Sequence, residues 1–161
     1  MRILVTGATG FLGYRVVEQL ATMTHVENIV ATGRAIKNQH NITHQKVDYV
    51  LGDLVDLEFV KTVVRDVDHI IHAAALSSPW GRFEDFEKAN LTSQKNIISA
   101  ARQSHIKRIV FISTPSMYFD NTDRLNIRES DPLPIKLINA YAYTKRQAEI
   151  ELQKSSIPYV I

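Results

Sequence analysis

The stretch that decides the fold is residues 1–20, MRILVTGATGFLGYRVVEQL. The apolar run at residues 3–5 predicts a buried strand, and residues 11–23 carry apolar side chains at helical spacing. Between the strand and the helix lie three glycines at a spacing of three: Gly7, Gly10 and Gly13. The sequence therefore begins with a strand, a glycine turn and a helix.

A glycine turn in this position brings backbone close to a ligand. The amide N–H groups and positive dipole end of the following helix favour an anion there. We expect the first glycine to form the tight turn, the second to allow close approach of a pyrophosphate, and the third to pack helix on strand. A purely structural glycine turn is the alternative. We predict that a dinucleotide binds along the turn, at Gly7, Thr9, Gly10, Phe11, Leu12 and Gly13.

The rest of the chain alternates in the same way. Further strands are predicted at 28–32, 47–53, 67–75, 106–114 and 157–161, and helices at 57–64, 83–104 and 139–155. Strands that are apolar almost throughout predict a parallel sheet covered on both faces. The fold class is therefore α/β: a Rossmann doubly wound parallel sheet in three αβα layers. A polar, proline-containing excursion at 120–137 is too long for a plain turn, and we expect it to be functional.

Composition excludes several classes of protein. The 161 residues are 45% hydrophobic and 22% charged, as in a soluble single domain, and no apolar run is long enough for a membrane span. The absence of cysteine excludes disulfides and thiolate metal sites, and the net charge of +2 does not favour nucleic acid. His40 and His44 lack a nearby carboxylate, so we expect no metal site. We expect a cytoplasmic protein.

The sequence ends inside the last predicted strand, with no helix after it. We therefore expect residues 1–161 to be an incomplete, C-terminally truncated nucleotide-binding domain. We also expect the substrate-binding region to be absent from this chain.

Tyr141 and Lys145 stand four residues apart in a predicted helix and so share one face. A tyrosine side chain ordinarily has a pKa near 10, and a cation one turn away favours its phenolate form. The pair therefore suits general acid–base catalysis, although an ordinary surface pair has the same spacing. A third hydroxyl is expected after the fifth strand, where Ser113, Thr114 and Ser116 compete.

The end of the second strand bears on which dinucleotide binds. An acidic side chain there would bind the ribose 2′-hydroxyl of NAD(H) and repel the 2′-phosphate of NADP(H). Gly33 occupies that position, and Arg34 follows it. Because arginine can clamp a phosphate, NADP(H) is favoured over NAD(H). A solvated surface arginine is the alternative.

These motifs, taken in order, resemble those of the extended short-chain dehydrogenase/reductase family, also called the NAD-dependent epimerase/dehydratase family. The resemblance covers essentially the whole chain. It rests on TGATGFLG at 6–13, GDL at 52–54, HAAA at 72–75, NLTSQKNII at 90–98, ISTPSMY at 112–118 and YAYTK at 141–145.

The resemblance implies roles for individual residues. Tyr141 would donate or accept the proton, and Lys145 would hold the nicotinamide ribose. The catalytic hydroxyl would stand four residues before Tyr118, which selects Thr114. The implied cofactor contacts are Asp53 and Leu54 at the adenine, Ala73, Ala74 and Ala75 at the ribose side, and Asn90 in the following helix.

The resemblance is strongest to the 3β-hydroxysteroid dehydrogenase-like and 2-alkyl-3-oxoalkanoate reductase branch. It implies reversible hydride transfer on a bulky apolar 3-hydroxy or 3-keto substrate. A nucleotide-sugar epimerase or dehydratase and a non-catalytic NAD(P)-sensing regulator are the alternatives. The two long helices resemble the pair through which family members form homodimers. Two places in the sequence depart from the family pattern. Ser93 and Gln94 stand where the family usually has Gly-Thr, and Phe119 stands where it usually has glycine.

Overall fold

Six parallel strands form one sheet in the computed structural model, which describes residues 1–36 and 41–161. The spatial order is β3-β2-β1-β4-β5-β6, so the chain winds outward from β1 to β3 and then returns to place β4 on the other side of β1. This order confirms the predicted doubly wound sheet. The strands are β1 (Arg2–Thr6), β2 (Asn28–Gly33), β3 (Val47–Leu51), β4 (His69–His72), β5 (Arg108–Phe111) and β6 (Tyr159–Val160).

Helices cover both faces of the sheet. They are α1 (Phe11–Thr22), α2 (Leu57–Val64), α3 (Phe83–Phe86), α4 (Ser93–Gln103) and α5 (Ala140–Gln153). Along β1, Leu4 packs into the core beneath α2, α4 and α5, whereas Ile3 and Val5 pack into the core beneath α1. This alternation follows from the two-residue period of a strand. It confirms the three predicted layers.

The long predicted helix at 83–104 is continuous but not uniform. A π-helical segment, Glu87–Thr92, separates α3 from α4. The wider turn cannot be recognised from a 3.6-residue apolar pattern, and such segments are frequent at functional sites. The segment contains the buried Asn90.

The last four strands end earlier than predicted, and the difference is largest for β4 and β5. β4 stops at His72 and β5 at Phe111, so the residues after them belong to loops at the carboxyl edge of the sheet. A 3-10 turn, Pro115–Tyr118, follows β5. Residues 119–139 contain neither helix nor strand, as predicted for the excursion. Within the described ranges, no helix has the length and apolar character needed to cross a membrane.

Candidate dinucleotide-binding site

A cleft of about 1000 Å³ opens at the carboxyl edge of the sheet, beside β1, β2, β3 and β4. It lies where strand order reverses between β1 and β4, the place where open α/β sheets bind ligands. Nine of the predicted cofactor-binding residues line it: Gly7, Thr9, Gly10, Arg34, Asp53, Leu54, Ala73, Ala74 and Ala75.

The three glycines have the geometry that the sequence predicts. Gly7 has φ +70°, and a Cβ there would come within 2.7 Å of the Ala74 nitrogen. A Cβ on Gly13 would overlap the carbonyl group of Gly7, so only glycine lets α1 pack this closely on the turn. Gly10 lines the cleft, and a Cβ there would meet only the Gly7 oxygen, at 3.3 Å. Its missing side chain therefore leaves room for a ligand.

The N-terminus of α1 opens onto this cleft without a cap. Gly10 is the N-cap residue and has no side chain to cap the helix, and the first turn contains no acidic residue. By contrast, Asp56 caps α2 and Asn139 caps α5. The helix dipole and the N–H groups of the first turn thus remain available to an anion, which fits a pyrophosphate.

No carboxylate stands at the end of β2, at the other end of the cleft. A Cβ on Gly33 would overlap Oγ1 of the buried Thr9, so a side chain at position 33 would require the Thr9 side chain to move. The next residue, Arg34, is exposed and lines the cleft, as does Asp53. Within residues 1–36 and 41–161, Arg34 forms no ion pair. The positive charge there is accessible to a ligand.

The loop after β4 is held at two points. Oγ1 of Thr6 accepts a hydrogen bond from the Ala74 N–H at 3.2 Å and lies 2.6 Å from Nδ1 of His72. The Asn90 side chain accepts from the Leu76 N–H and donates to the Leu76 carbonyl and to Thr144 Oγ1. Asn90 thus joins the cleft wall to α5, and its amide is satisfied within the protein.

One wall of the cleft escaped sequence reasoning. It is formed by one side of the continuous helix after β4 and consists of Asp85, Lys88, Ala89 and Ser93. The i, i+4, i+8 spacing of Asp85, Ala89 and Ser93 was the available signal. At the start of α1, Phe11 and Leu12 are exposed, whereas Gly13 is buried against the glycine turn. None of these three residues lines the cleft.

Tyr141 and Lys145 stand on α5, as predicted. Tyr141 is half-buried and Lys145 is 2% exposed. The Lys145 ammonium donates a hydrogen bond to the Ile112 carbonyl and lies 3.8 Å from the centre of the Phe111 ring. Burial lowers the pKa of Lys145 to about 8, partly offset by the carboxylate of Glu149. Neither Tyr141 nor Lys145 is among the described residues that line the cleft.

Thr114 follows β5 and lines a second cavity, of about 490 Å³. Its Oγ1 accepts from the Ser116 N–H and donates to Ser116 Oγ at 3.0 Å, so it caps the 3-10 turn. Ser113, its competitor, lines the same cavity, and its buried hydroxyl has no partner among the described residues. The structure therefore leaves both hydroxyls beside one cavity.

The described residues contain no cluster of three histidine or acidic side chains able to hold a metal ion. His44 bonds to the Lys46 N–H, while His40 lies outside the described residues. His72 is completely buried, as expected of a core histidine. Burial and the nearby charge of Lys145 lower the pKa of His72 to about 3, so its imidazole is neutral.

Comparison with known proteins places this geometry in a family. The model of the NAD dependent epimerase/dehydratase family matches residues 3–160. A 2-alkyl-3-oxoalkanoate reductase from Shewanella oneidensis is 34% identical over 90% of this chain and 36% of its own length. A 4-hydroxy-2-methyl-3-oxo-4-farnesyl-3,4-dihydroquinoline-1-oxide ketoreductase from Stigmatella aurantiaca is 33% identical over 92% and 44%, respectively. The chain thus spans less than half the length of these relatives.

A solved structure agrees with the sequence relatives. A mutant uronate dehydrogenase from Agrobacterium tumefaciens, complexed with NAD, superimposes with a TM-score of 0.78. It is 28% identical, and the match covers 92% of this chain and 53% of that one. The family model, the sequence relatives and the doubly wound sheet all indicate the same family. The chain belongs to the NAD dependent epimerase/dehydratase family, also known as the extended short-chain dehydrogenases/reductases.

Proposed function

We propose that this chain binds a nicotinamide dinucleotide and serves an oxidoreductase of the extended short-chain type. The reaction is reversible hydride transfer between the nicotinamide and the carbon of a secondary alcohol or ketone. The observation that carries the proposal is the 1000 Å³ cleft onto which the uncapped N-terminus of α1 opens. Two relatives whose names describe ketone reductions support it.

The cleft residues have separate tasks in this proposal. The first turn of α1 binds the pyrophosphate through its N–H groups, and Gly10 leaves the room for it. Asp53 and Leu54 line the adenine end, and Ala73–Ala75 line the ribose side. When bound, the nicotinamide ring supplies the hydride donor or acceptor.

The proton is moved by side chains on α5 and after β5. Tyr141 gives its phenolic proton to the substrate oxygen during reduction and takes one back during oxidation. Lys145, one turn away, stabilises the phenolate by its positive charge. On substrate binding, the Thr114 hydroxyl turns away from Ser116 Oγ and donates its one proton in a hydrogen bond to the same substrate oxygen. General acid–base help of this kind contributes roughly 10²–10⁴-fold in rate.

The substrate is a bulky apolar 3-hydroxy or 3-keto compound. The second cavity supports this class, because Thr114 lines it together with the apolar side chains of Met117 and Ile127. Two arginines and two glutamates also line the cavity, so it has no net charge. The names of two relatives, which refer to 2-alkyl-3-oxoalkanoates and to a farnesylated quinoline, support the same substrate class.

NADP(H) is the preferred cofactor in this proposal. Gly33 has no side chain to repel a 2′-phosphate, and Arg34 offers an accessible cation in the cleft. Titration of the chain with NADPH and NADH tests this directly. We expect tighter binding of NADPH, and Arg34→Ala should remove the difference while leaving NADH binding unchanged. Tighter binding of NADH by the unaltered chain would contradict the preference.

Turnover of aliphatic and steroid ketones by the full-length protein, followed by nicotinamide absorbance, tests the reaction. Tyr141→Phe should lower turnover by about 10²–10⁴-fold with cofactor affinity nearly unchanged. Tyr143→Phe is the matched control, because Tyr143 is exposed on the same helix and has no lysine four residues later. Equal turnover in both variants would refute the role of Tyr141. Bound cofactor without net absorbance change would favour the epimerase alternative.

A further inference from the structure

We propose that Phe111 is a positioning residue for Lys145: the face of its ring holds the buried ammonium in place and stabilises its charged form. The catalytic meaning of this inference rests on the proposed function, in which Lys145 must be a cation. Phe111 was not among the residues that the sequence singled out. It is the last residue of β5 and is 1% exposed.

Among the described residues, the Lys145 ammonium has two close partners, a carbonyl and an aromatic ring. The Nζ atom of Lys145 lies 3.8 Å from the centre of the Phe111 ring and donates a hydrogen bond to the carbonyl of Ile112, the next residue along the chain. A lysine ammonium has three protons and no acceptor, so a buried one requires partners on several sides. The ring face is the electron-rich partner that complements the carbonyl.

A second ring packs on Phe111 from the neighbouring strand. His72 pairs with Phe111 in the register of β4 and β5, and their rings stack with centres 5.6 Å apart. Thr6 holds the His72 imidazole through Nδ1 and also accepts from the Ala74 N–H in the cleft wall. The orientation of the Phe111 ring is therefore fixed from the cofactor side of the sheet.

Two opposing effects act on the charge of Lys145. Burial favours the neutral amine and lowers the pKa of Lys145 to about 8, whereas the Glu149 carboxylate one turn along α5 raises it. His72 is also in electrostatic contact with Lys145, and its imidazole is neutral because burial lowers its pKa to about 3. The phenol of Tyr141 belongs to the same helix, one turn before Lys145. The Phe111 ring carries no net charge, but its electron-rich face favours the charged form of Lys145. Without the ring, burial should therefore lower the pKa of Lys145 further.

The test is a pH titration of Lys145 by NMR in the chain carrying ¹³Cε-labelled lysine, with the resonance assigned from Lys145→Gln. The measurement needs neither cofactor nor turnover. Phe111→Leu should lower the pKa of Lys145 by about one unit, a tenfold change in its protonation constant. Phenylalanines with one, two and three ring fluorines at position 111 should lower it stepwise, because fluorination weakens the ring quadrupole while nearly preserving its shape. This series also serves if the leucine variant does not fold.

The matched control is position 86, since Phe86 is equally buried at 1% exposure. Phe86→Leu and the fluorinated series at position 86 should leave the pKa of Lys145 unchanged. The proposal is overturned if the pKa of Lys145 is the same across the series at position 111, or moves equally for both positions. In the full-length protein the alkaline limb of kcat/KM should move to lower pH in parallel. The pKa of Lys145 could shift in the Phe111 variants while Tyr141→Phe leaves turnover unchanged. This result would support the Phe111–Lys145 contact and refute the proposed function.

Discussion

Two turns at the same edge of the sheet end in helices of opposite design. The turn between β3 and α2 ends in Asp56, whose carboxylate accepts hydrogen bonds from the N–H groups of Glu58 and Phe59. The turn between β1 and α1 ends in Gly10, which has no side chain to cap the first turn of its helix. One helix has a side-chain cap at its N-terminus, and the other has none beside the cleft. The proposed anion site at the N-terminus of α1 rests on this difference between the two helices.

The largest loss of stability and binding is expected from adding a side chain where α1 packs on the glycine turn. Gly13→Ala places a Cβ on the backbone of Gly7, which must move, because no flexible side chain can yield there. We expect a loss of about 3 kcal/mol in the free energy of unfolding and no measurable dinucleotide binding. Urea unfolding and titration with NADPH measure both. Full stability in this variant would show that the close packing of α1 is not needed.

The difference between the two turns can be tested by giving α1 a side-chain cap like that of α2. Gly10→Asp supplies a capping carboxylate where the pyrophosphate is expected, so affinity for NADPH should fall at least about 100-fold while stability is maintained. Gly10→Asn is the matched control, because it caps without charge and should lose less affinity. If both variants bound NADPH as tightly as the unaltered chain, the anion would lie elsewhere.

Acid should destabilise the fold through His72, which is buried at the end of β4. Burial lowers the pKa of His72 to about 3, whereas an unfolded histidine has a pKa near 6.5. The unfolded chain therefore takes up this proton first, and stability falls as the pH drops from about 6.5 towards 3, by up to about 1.4 kcal/mol per pH unit. Denaturant unfolding as a function of pH measures the slope.

The matched variant for this slope is His72→Asn, in which it should become shallower between pH 6.5 and 4.5. Among the described residues whose pKa is strongly shifted, Asp68 is the other one that titrates in acid, and it acts at lower pH than His72. Hydrogen bonds from Lys107 and the Arg2 N–H lower the pKa of Asp68 to about 2, so its contribution is lost only as the pH falls from about 4 towards 2. An unchanged slope in His72→Asn would contradict the burial of a neutral imidazole.

The smallest effect is expected at α2. Asp56→Ala removes the cap and should lower the free energy of unfolding by about 1 kcal/mol, with NADPH affinity unchanged. Thermal unfolding and a binding titration on the same sample measure the two quantities. A loss of affinity comparable to that of Gly10→Asp would mean that the two turns are not functionally distinct.

The glycine turn was predictable because its cause is local. Gly7, Gly10 and Gly13 act through spacing and backbone geometry, and spacing is visible in a sequence. The same holds for the strand order, since alternating strands and helices with buried strands leave few arrangements. The α5 pair could be placed on one face from its four-residue separation alone.

What escaped prediction depends on contacts between distant residues. The collision between Thr9 and a side chain at Gly33 joins residues 24 positions apart, and the stacking of His72 on Phe111 joins neighbouring strands. The burial of Lys145 against Phe111 depends on how α5 packs on β5. The π-helical segment breaks the period on which helix prediction relies, so no periodic pattern could reveal it.

The central claim is that the open N-terminus of α1 binds the diphosphate of a nicotinamide dinucleotide. A ¹H–¹⁵N NMR titration of the chain with NADPH tests it most directly. The account predicts saturable shifts that are largest at the amides of residues 10–13, with the capped amides of Glu58 and Phe59 nearly unmoved. Saturable binding that leaves the amides of residues 10–13 in place would contradict it.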